Sequence, residues 1–307
     1  MTLTRTRPAY RPYSAHVVRT QRLAPHFVRI TFTGGEFGDF GTAGLDQRVK
    51  IVLPGEDGSV ADIGQDCAAG DWHARWRALP DATRPPFRTY TVRRIDPVAR
   101  ELDIDFVLHE DPGPAGAWAA GAQPGAELVI VGPDERSDQS RIGLDWHPGA
   151  ARRVLLAGDE TAVPAILSIV ETLDPDVEAD VFVEVGTTDD VLSCSAHPGV
   201  RVHWLPRDGQ EHGVRLVAAA AAWADAAHEL LAAAAAPRRQ TLVDVDVDRE
   251  LLWDSPGDGA GEFYAWIAGE AATVKALRRL FVSGHGVDRA RVAFMGYWRQ
   301  GQAERQE

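Results

Sequence analysis

The chain has 307 residues, of which 45% are hydrophobic and 25% charged, a composition typical of a globular protein with a sizeable core. At about 150 residues per domain, this length favours two domains. The 32 basic and 45 acidic side chains leave a net charge of −13, which disfavours nucleic acid and a polybasic membrane contact as partners.

The N-terminal residues 1–16 contain no apolar run, so we predict no signal peptide. The longest apolar stretch, residues 218–236, is interrupted by Asp225, His228 and Glu229 and predicts no membrane span. The two cysteines, Cys67 and Cys194, are too few for a zinc site or a disulfide scaffold. We therefore expect a cytoplasmic protein, and we expect a monomer.

The first half of the chain predicts an antiparallel β-barrel or sandwich, because short Val-, Ile-, Phe- and Thr-rich runs alternate with Gly, Pro and Asp turns. The predicted strands are residues 15–20, 26–33, 48–53, 88–95, 102–108 and 127–131. Residues 57–86, which include Trp72 and Trp76, predict a long loop with room for one helical turn. A loop of this length is usually functional or disordered.

The second half alternates strands and helices, which predicts a parallel sheet with covering helices. The predicted strands are residues 153–157, 177–185, 200–205, 263–268 and 291–295, and the predicted helices are residues 163–173, 214–236 and 271–282. The pattern changes near Trp146, so we predict a first domain of residues 1–146 and a second of residues 147–307.

Common catalytic motifs are absent from the sequence. No G-x-x-x-x-G-K-[ST], G-x-S-x-G, H-E-x-x-H or paired C-x-x-C occurs, which excludes a P-loop, the usual nucleophile elbow and the common zinc sites. No G-x-G-x-x-G follows Leu156, so the second half lacks the standard Rossmann fingerprint. It can still bind a nucleotide at the C-terminal ends of its strands, as open α/β sheets do.

The segment R-T-Y-T-V-R at residues 88–93 is a candidate ligand site. In a strand, Arg88, Tyr90 and Val92 would share one face, because side chains alternate. A guanidinium can clamp a phosphate and a phenol ring can stack on a flat ligand. The alternative is a half-exposed strand whose arginine is simply solvated.

The segment from His109 to Ala119 follows a strand and opens a helix. The free N–H groups at a helix start favour an anion such as pyrophosphate. The alternative is a plain turn with a buried Trp118, in which Glu110 and Asp111 cap the helix.

Two turns of the second half repeat the order strand, Gly, acid, helix: A-G-D-E-T from residue 157 and A-G-E-A from residue 268. Asp159 or Thr161 is a natural N-cap for the helix that follows the first turn. Because both turns end strands of one parallel sheet, we expect them to line one ligand crevice. The last strand ends in Tyr297, Trp298 and Arg299, which form either part of a site or an aromatic anchor for the chain end.

Together these segments resemble the siderophore-interacting protein family, the flavin-dependent ferric-siderophore reductases, over nearly the whole chain. The motifs, in order, are R-x-Y-T-x-R, H-x-x-x-G-P-A-x-x-W-A, G-D-E-T-A-x-P-A-I, W-x-A-G-E and G-Y-W-R-x-G. The resemblance implies a ferredoxin-reductase-like fold. This fold combines an FAD-binding antiparallel β-barrel with a following parallel-sheet α/β domain that binds NAD(P)H.

The resemblance also implies residue roles. Arg88 would bind FAD phosphate, Tyr90 would pack on the isoalloxazine and Thr91 would lie near its reactive edge. The other FAD-binding residues it implies are Val92, Arg93, His109, Gly113, Pro114, Ala115, Trp118 and Ala119. The residues it implies for the nicotinamide nucleotide (NADH or NADPH) are Asp159, Glu160, Thr161, Ala162, Ala268, Gly269 and Glu270. Tyr297 and Trp298 would close the site near the flavin.

The anionic ferric-siderophore would be received by basic residues. Lys50 and Arg299 match two such positions of the family, and Arg136 is the third candidate, although two acidic residues separate it from Gly132-Pro133. His109-Glu110 also departs from the commoner His-Gly. Because the ligands are anionic and the chain is acidic, we expect Lys50, Arg88, Arg93 and Arg299 to converge on one basic pocket.

The implied activity is reduction of siderophore-bound Fe(III) by NAD(P)H through FAD, with release of Fe(II). Electron transfer needs no general base, so we predict no acid–base catalytic residue and no metal site. Two alternatives stay open: an NAD(P)H–flavin reductase with a ferredoxin or quinone as acceptor, and a non-catalytic siderophore-binding protein. By composition alone, Arg207, Lys275 and Arg278 are candidates to bind the 2′-phosphate of NADPH.

Overall fold

The computed structural model describes residues 7–109, 112–257 and 261–302. These residues form two compact units, one up to Leu144 and one from Asp145 onward. Within the described ranges, no helix combines the length and apolar character that a membrane crossing requires.

Unit 1 is built on a seven-stranded antiparallel sheet with the order β4-β3-β7-β1-β2-β6-β5. Its strands are β1 (Tyr10–Ala24), β2 (Phe27–Thr33), β3 (Arg48–Val52), β4 (Phe87–Thr91), β5 (Arg94–Asp96), β6 (Glu101–Val107) and β7 (Glu127–Pro133). Only Val92 and Arg93 separate the two edge strands β4 and β5, so the sheet edges come within about 11 Å of each other. The sheet therefore curls into the expected barrel.

This closure splits the strand predicted over residues 88–95. The N–H of Val92 donates to the carbonyl of Gln47, beside β3, whereas the N–H of Arg93 donates to the carbonyl of Asp103 in β6, each at 2.9 Å. The chain thus changes pairing partner between these two residues. Tyr90 and Val92 nevertheless both pack on the barrel core, as the expected alternation of faces requires.

The long loop at residues 57–86 contains a 3₁₀ turn and the six-residue helix α1 (Trp72–Arg77). Trp76 of α1 is 2% exposed and packs on Phe87 at the start of β4. A second short helix of unit 1, α2 (Pro114–Gly121), precedes β7 and buries Ala115 and Ala119 against the barrel core.

Unit 2 carries a six-stranded sheet with the order β10-β9-β8-β12-β13-β11. Its strands are β8 (Arg153–Gly158), β9 (Glu178–Val185), β10 (Val200–Pro206), β11 (Trp253–Asp254), β12 (Phe263–Glu270) and β13 (Val292–Trp298). The neighbouring pairs from β10 to β13 are parallel, as predicted. The two-residue strand β11 adds an antiparallel edge and is too short to show in the sequence pattern.

The helices of unit 2 are α3 (Val163–Val170), α4 (Val214–Ala226), α5 (His228–Ala233) and α6 (Ala271–Arg278). The single helix predicted over residues 214–236 is wrong, because Ala227, with φ −94° and ψ 20°, leaves the helical region between α4 and α5. The helix predicted over residues 271–282 ends at Arg278 and continues as a π-helical turn.

Candidate functional site

Two of the candidate segments meet in a row of aromatic rings in unit 1. The ring centroids of Tyr90 and Phe106 are 4.4 Å apart, and those of Phe106 and Trp118 are 6.2 Å apart. Trp118 in turn stacks on Phe32 at 6.1 Å with an interplanar angle of 11°. Tyr90 and Trp118 are only partly buried, so this row presents aromatic surface at the edge of the barrel core.

The start of α2 lies in the same unit and has the features of an anion site. Gly113 is the N-cap, Pro114 follows it, and none of the described side chains caps the helix. A Cβ placed on Gly113 would have no atom of the described residues within 4 Å, so none of these residues fills the space beside this helix end. His109 is exposed. The proposed cap formed by Glu110 and Asp111 lies outside the described residues.

The other residues of the 88–93 segment differ in exposure. Arg88 is half-buried and donates from Nη1 to the carbonyl of Phe87 at 2.8 Å. Thr91 is 6% exposed and Val92 is fully buried in the core. Arg93 lies 3.8 Å from the carboxylate of Asp105.

Lys50 lies on the other face of the strand pair from Arg88 and Tyr90. It is paired directly with Thr89 across β3 and β4, and its Nζ donates to the Thr89 hydroxyl at 2.5 Å. Because neighbouring side chains of a strand point to opposite faces, Arg88 and Tyr90 point away from Lys50. The expectation that Lys50 and Arg88 share one pocket therefore does not hold within this sheet.

Arg136, the third candidate for the siderophore, is exposed and forms an ion pair with Asp39 at 2.5 Å. Its backbone N–H donates to the carboxylate of Asp134 at 3.0 Å. Asp134 therefore holds the backbone of Arg136, while the side chain of Arg136 pairs with Asp39.

Asp159 joins three segments of unit 2 that are distant in sequence. Its Oδ1 accepts hydrogen bonds from the N–H and the hydroxyl of Thr161 at 2.9 and 2.6 Å. Its Oδ2 accepts from the N–H of Glu270 at 2.7 Å and from Nε1 of Trp298 at 2.8 Å. The carboxylate thus connects the turn after β8, the start of α6 and the end of β13. The N-cap of α3 is Ala162, so the prediction that Asp159 or Thr161 caps this helix is wrong.

This environment changes the acidity of Asp159. Burial, followed by the neighbouring charge of Glu160, raises the pKa of Asp159 from 3.8 to about 7. The hydrogen bonds from Thr161, Trp298 and Glu270 act in the opposite direction. Asp159 therefore lies at the boundary between its neutral and charged forms near neutral pH.

Gly269 allows the two turns to approach each other. Its φ is +144°, and a Cβ at this position would lie 2.6 Å from Oδ2 of Asp159. Only glycine meets both conditions without strain. The expected meeting of the 159–162 and 268–270 turns in one place is confirmed by this contact and by the Asp159–Glu270 hydrogen bond, with Ala162 and Ala268 fully buried beneath them.

Glu160 is engaged in a buried ion cluster. Nη1 and Nη2 of Arg207 donate to its two carboxylate oxygens at 2.6 and 2.8 Å. Nη1 of Arg207 also lies 3.5 Å from Oε1 of Glu184, whose carboxylate accepts the N–H groups of Gly213 and Leu216 at 2.7 and 2.8 Å. Burial lowers the pKa of Arg207, but the hydrogen bonds and charge of Glu160 outweigh this effect and raise it overall.

The end of β13 has its own partners in unit 2. Tyr297 stacks on Trp253 at 5.7 Å, and the Trp298 ring meets His212 edge-on at 5.0 Å. The Arg299 guanidinium donates to the backbone carbonyls of Asp248 and Glu250.

Each of the three cations considered for a 2′-phosphate has a carboxylate partner. Arg207 pairs with Glu160, as described above. Lys275 lies 2.9 Å from Asp244 and Arg278 lies 3.3 Å from Asp254.

Sequence reasoning missed several residues of these sites, among them Phe106, Glu184 and His212. Glu184 could have been found, because a charged residue inside the apolar run of β9 requires a buried partner. Nothing in the sequence pattern distinguishes His212 or Phe106 from ordinary loop and core residues.

Comparison with known proteins agrees with these features. A family model described as a siderophore-interacting FAD-binding domain matches residues 16–137, and one described as siderophore-interacting protein matches residues 151–301. An uncharacterized protein of Mycobacterium tuberculosis, Rv2895c, is 35% identical over 96% of this chain and 93% of its own length. The ferric vibriobactin reductase ViuB of Vibrio cholerae is 27% identical over 94% of this chain and 89% of its own length.

Solved structures show the same similarity. A siderophore utilization protein from T. fusca matches 96% of this chain and 95% of its own, with 30% identity and a TM-score of 0.68. A ferredoxin reductase of carbazole 1,9a-dioxygenase, at 15% identity and a TM-score of 0.58, covers 94% of this chain and 70% of its own and shares the fold. With its antiparallel barrel and its α/β unit, the chain therefore has the ferredoxin-reductase-like fold and belongs to the siderophore-interacting, FAD-binding protein family.

Proposed function

We propose that this protein is an FAD-dependent ferric-siderophore reductase that takes its electrons from NAD(P)H. The observation that carries the proposal is the row of rings in which the partly buried Tyr90 and Trp118 both pack on Phe106, in the unit that also holds the start of α2 and in a chain of an FAD-binding family. The similarity to a protein named ferric vibriobactin reductase supports a ferric chelate as acceptor.

The residues of unit 1 fit FAD by their chemistry. The partly buried ring of Tyr90 suits a flat aromatic ligand, while the Arg88 guanidinium and the N–H groups at the start of α2 suit its phosphates. When bound, FAD supplies the exchange between a two-electron hydride donor and a one-electron acceptor. We assign Tyr90 and Trp118 to orient the ring system and Arg88 and the Gly113–Pro114 turn to hold the phosphates.

We assign the nicotinamide nucleotide to the turns joined by Asp159. Asp159 would hold the turn before α3 and the turn before α6 at a constant spacing, and Gly269 would allow their close approach. These turns follow the C-terminal ends of β8 and β12, where open α/β sheets bind ligands. The roles of Tyr297 and Trp298 near the flavin remain a prediction, as do the cytoplasmic location and the monomeric state.

We assign the ferric-siderophore, the substrate, to the basic residues Lys50 and Arg136 of unit 1, and a role for Arg299 of unit 2 remains a prediction. One NAD(P)H carries two electrons and so reduces two Fe(III) centres, each by one electron. Fe(II) is a softer ion than Fe(III) and binds hard oxygen ligands more weakly, so reduction loosens the metal from its chelator.

A visible spectrum and an anaerobic titration test the proposal. Purified protein should be yellow, NADH or NADPH should bleach the flavin, and a ferric chelate should restore the colour while Fe(II) appears in a ferrous trap. A protein that binds no added FAD would contradict the whole assignment. Faster reoxidation by a ferredoxin or a quinone would favour a different acceptor, and a flavin that neither nucleotide bleaches would favour a non-catalytic siderophore-binding protein.

A further inference from the structure

The sheet of unit 2 indicates where the adenosine end of a dinucleotide would lie. Its five parallel strands run along the sheet in the order third, second, first, fourth and fifth, which is the order of many dinucleotide-binding sheets. In such sheets the adenosine ribose lies near the C-terminal end of the second strand, and its 2′-position carries a hydroxyl in NADH and a phosphate in NADPH. In unit 2 the second strand is β9, with β10 beside it. The side chains at these two strand ends therefore bear on the choice between the two nucleotides.

The ends of β9 and β10 are joined by their backbones. The N–H of Arg207 donates to the carbonyl of Val185 at 2.8 Å, and the N–H of Asp208 donates to the carbonyl of Gly186 at 3.1 Å. Arg207 directly follows β10, so it is a cation in the region where NADPH-binding sheets use an arginine for the 2′-phosphate. Its availability to a phosphate depends on the partners of its guanidinium.

The guanidinium of Arg207 is already bound by Glu160. Nη1 and Nη2 donate to the two carboxylate oxygens of Glu160 at 2.6 and 2.8 Å, and Nη1 lies 3.5 Å from Oε1 of Glu184. The side chains of Arg207, Glu160 and Glu184 are 10%, 4% and 0% exposed. A phosphate would use the same two-pronged geometry, so it reaches these donors only by displacing Glu160. That displacement would leave a buried carboxylate without its cation.

The charge at this corner of the sheet is negative. One guanidinium, that of Arg207, faces the two carboxylates of Glu160 and Glu184. Asp189, in the turn after β9, and Asp208, directly after Arg207, are exposed and add two further carboxylates. A 2′-phosphate would bring more negative charge to these groups, whereas a 2′-hydroxyl brings none and is a hydrogen-bond donor for a carboxylate.

The other two cations considered for a 2′-phosphate are engaged towards β11. Nζ of Lys275 donates to the carbonyl of Val245 at 2.5 Å and lies 2.9 Å from the carboxylate of Asp244. Arg278 lies 3.3 Å from the carboxylate of Asp254 in β11. Because β11 and β10 are opposite edges of the sheet, these two contacts do not supply positive charge to the end of β9.

We propose that Glu160, by holding Arg207, makes this protein selective for NADH over NADPH. The inference rests on the proposed function, because Glu160 belongs to one of the turns assigned there to the nicotinamide nucleotide. Glu160 is thus a specificity-determining residue that acts through Arg207. The sequence alone makes Arg207 a candidate to bind the 2′-phosphate, whereas the structure gives its two Nη groups to a carboxylate of the same site.

Redox-inert nucleotide fragments test the selectivity without turnover. ADP-ribose and 2′-phospho-ADP-ribose differ only in the 2′-phosphate, and calorimetry on the FAD-bound protein measures the affinity of each. The wild-type protein should bind ADP-ribose roughly tenfold or more tightly than its 2′-phosphorylated form, because like charges placed together are strongly unfavourable. Flavin reduction at equal, limiting concentrations of NADH and NADPH is the second readout and should be faster with NADH.

Glu160→Gln is the decisive variant, because it keeps the size of the side chain, removes one negative charge and weakens the hold on Arg207. It should reduce the preference for ADP-ribose by roughly tenfold, the effect of one hydrogen bond to a charged group. The ratio of the two affinities is compared, so a loss common to both fragments cancels. The matched control is Glu178→Gln at the opposite end of β9, where the side chain is 53% exposed and lies 3.4 Å from Arg153. This variant loses the same charge and should keep the wild-type ratio.

Asp208→Asn tests the same corner with little risk to the fold. Asp208 is exposed and has a φ of +48°, a left-handed conformation that asparagine adopts readily. The substitution should reduce the preference for ADP-ribose by roughly two- to threefold, less than Glu160→Gln, because solvent and salt screen an exposed charge. It decides the question if Glu160→Gln lowers the melting temperature.

Equal affinities of the two fragments for the wild-type protein, or tighter binding of the 2′-phosphorylated one, would overturn the inference. So would an unchanged ratio in a folded Glu160→Gln variant, or the failure of both fragments to bind. Failure of the proposed function has a different signature, since neither NADH nor NADPH would then bleach the flavin, whatever the fragment titrations show. A preference for ADP-ribose that Glu160→Gln reduces and Glu178→Gln retains supports the inference.

Discussion

Replacement of Arg207 by methionine should destabilise unit 2 more than any exposed ion-pair change. In the wild-type protein Arg207 donates two hydrogen bonds to Glu160, whose side chain is 4% exposed. Glu184 retains the N–H groups of Gly213 and Leu216 in the variant, so its carboxylate stays satisfied. Glu160 becomes a buried carboxylate without its cation.

The expected cost follows from that burial. Breaking a buried ion pair from one side costs about 3–5 kcal/mol, because the remaining charge stays desolvated. For a unit of this size, 1 kcal/mol shifts the melting temperature by about 2–4 °C, so Arg207→Met should lower it by roughly 6–20 °C. The double variant Arg207→Met/Glu160→Gln removes the charge as well and should recover most of this loss, leaving about 1–3 kcal/mol for hydrogen bonds left unmade.

Differential scanning calorimetry of the FAD-bound protein measures these shifts. Arg201→Met is the matched control, because Arg201 also forms two hydrogen bonds to a carboxylate, that of Asp180, but its side chain is 51% exposed. Solvent reaches this pair through Arg201, and Asp180, whose side chain is 10% exposed, keeps a hydrogen bond from Nε1 of Trp223 at 2.9 Å, so this variant should lose clearly less stability than Arg207→Met. Equal losses in Arg207→Met and Arg201→Met, or no recovery in the double variant, would refute the reasoning.

Three further predictions concern the other site residues. Gly269→Ala places a Cβ 2.6 Å from Oδ2 of Asp159 at a φ of +144° and should lower the melting temperature by several degrees; an unchanged melting curve would contradict the close approach. Burial raises the pKa of Asp159 from 3.8 to about 7, so folding favours the protonated form of this side chain. The protonated form therefore stabilises the protein fully below pH 4, and this stabilisation is lost as the pH rises to 7. Asp159→Asn should therefore reduce the dependence of the melting temperature on pH between pH 5 and 7.5. An unchanged dependence would show that Asp159 is not its source. Tyr90→Ala should weaken FAD binding by about tenfold in a fluorescence titration, the upper range of a ring contact, and unchanged affinity would remove Tyr90 from the flavin site.

Most of the architecture follows from local patterns in the sequence. Short alternating runs in the first half predict the barrel strands, and apolar runs followed by helical spacing predict the parallel strands of unit 2. The buried face of α6, which contains Val274 and Leu277, is also visible from the spacing of these residues. These patterns predict the elements because each element buries one face, and the apolar residues of that face recur at the spacing typical of a strand or a helix.

The boundaries and caps were harder to predict, since they depend on neighbours that are distant in sequence. The strand predicted over residues 88–95 divides into β4 and β5, because the N–H of Val92 donates to Gln47, beside β3, and the N–H of Arg93 donates to Asp103, in β6. The N-cap of α3 is Ala162, because the carboxylate of Asp159 is already committed to Thr161, Glu270 and Trp298.

The sequence by itself determined the order of the elements, the apolar faces and the positions of the family motifs. Only the tertiary structure decided which partner each buried carboxylate has. Glu160 pairs with Arg207, 47 residues away, and Asp159 accepts a hydrogen bond from Trp298, 139 residues away. It also placed Lys50 on the face of Thr89 and away from Arg88. A local period encodes which face of an element is buried, but the partner of a buried charge depends on how strands distant in sequence align in the sheet.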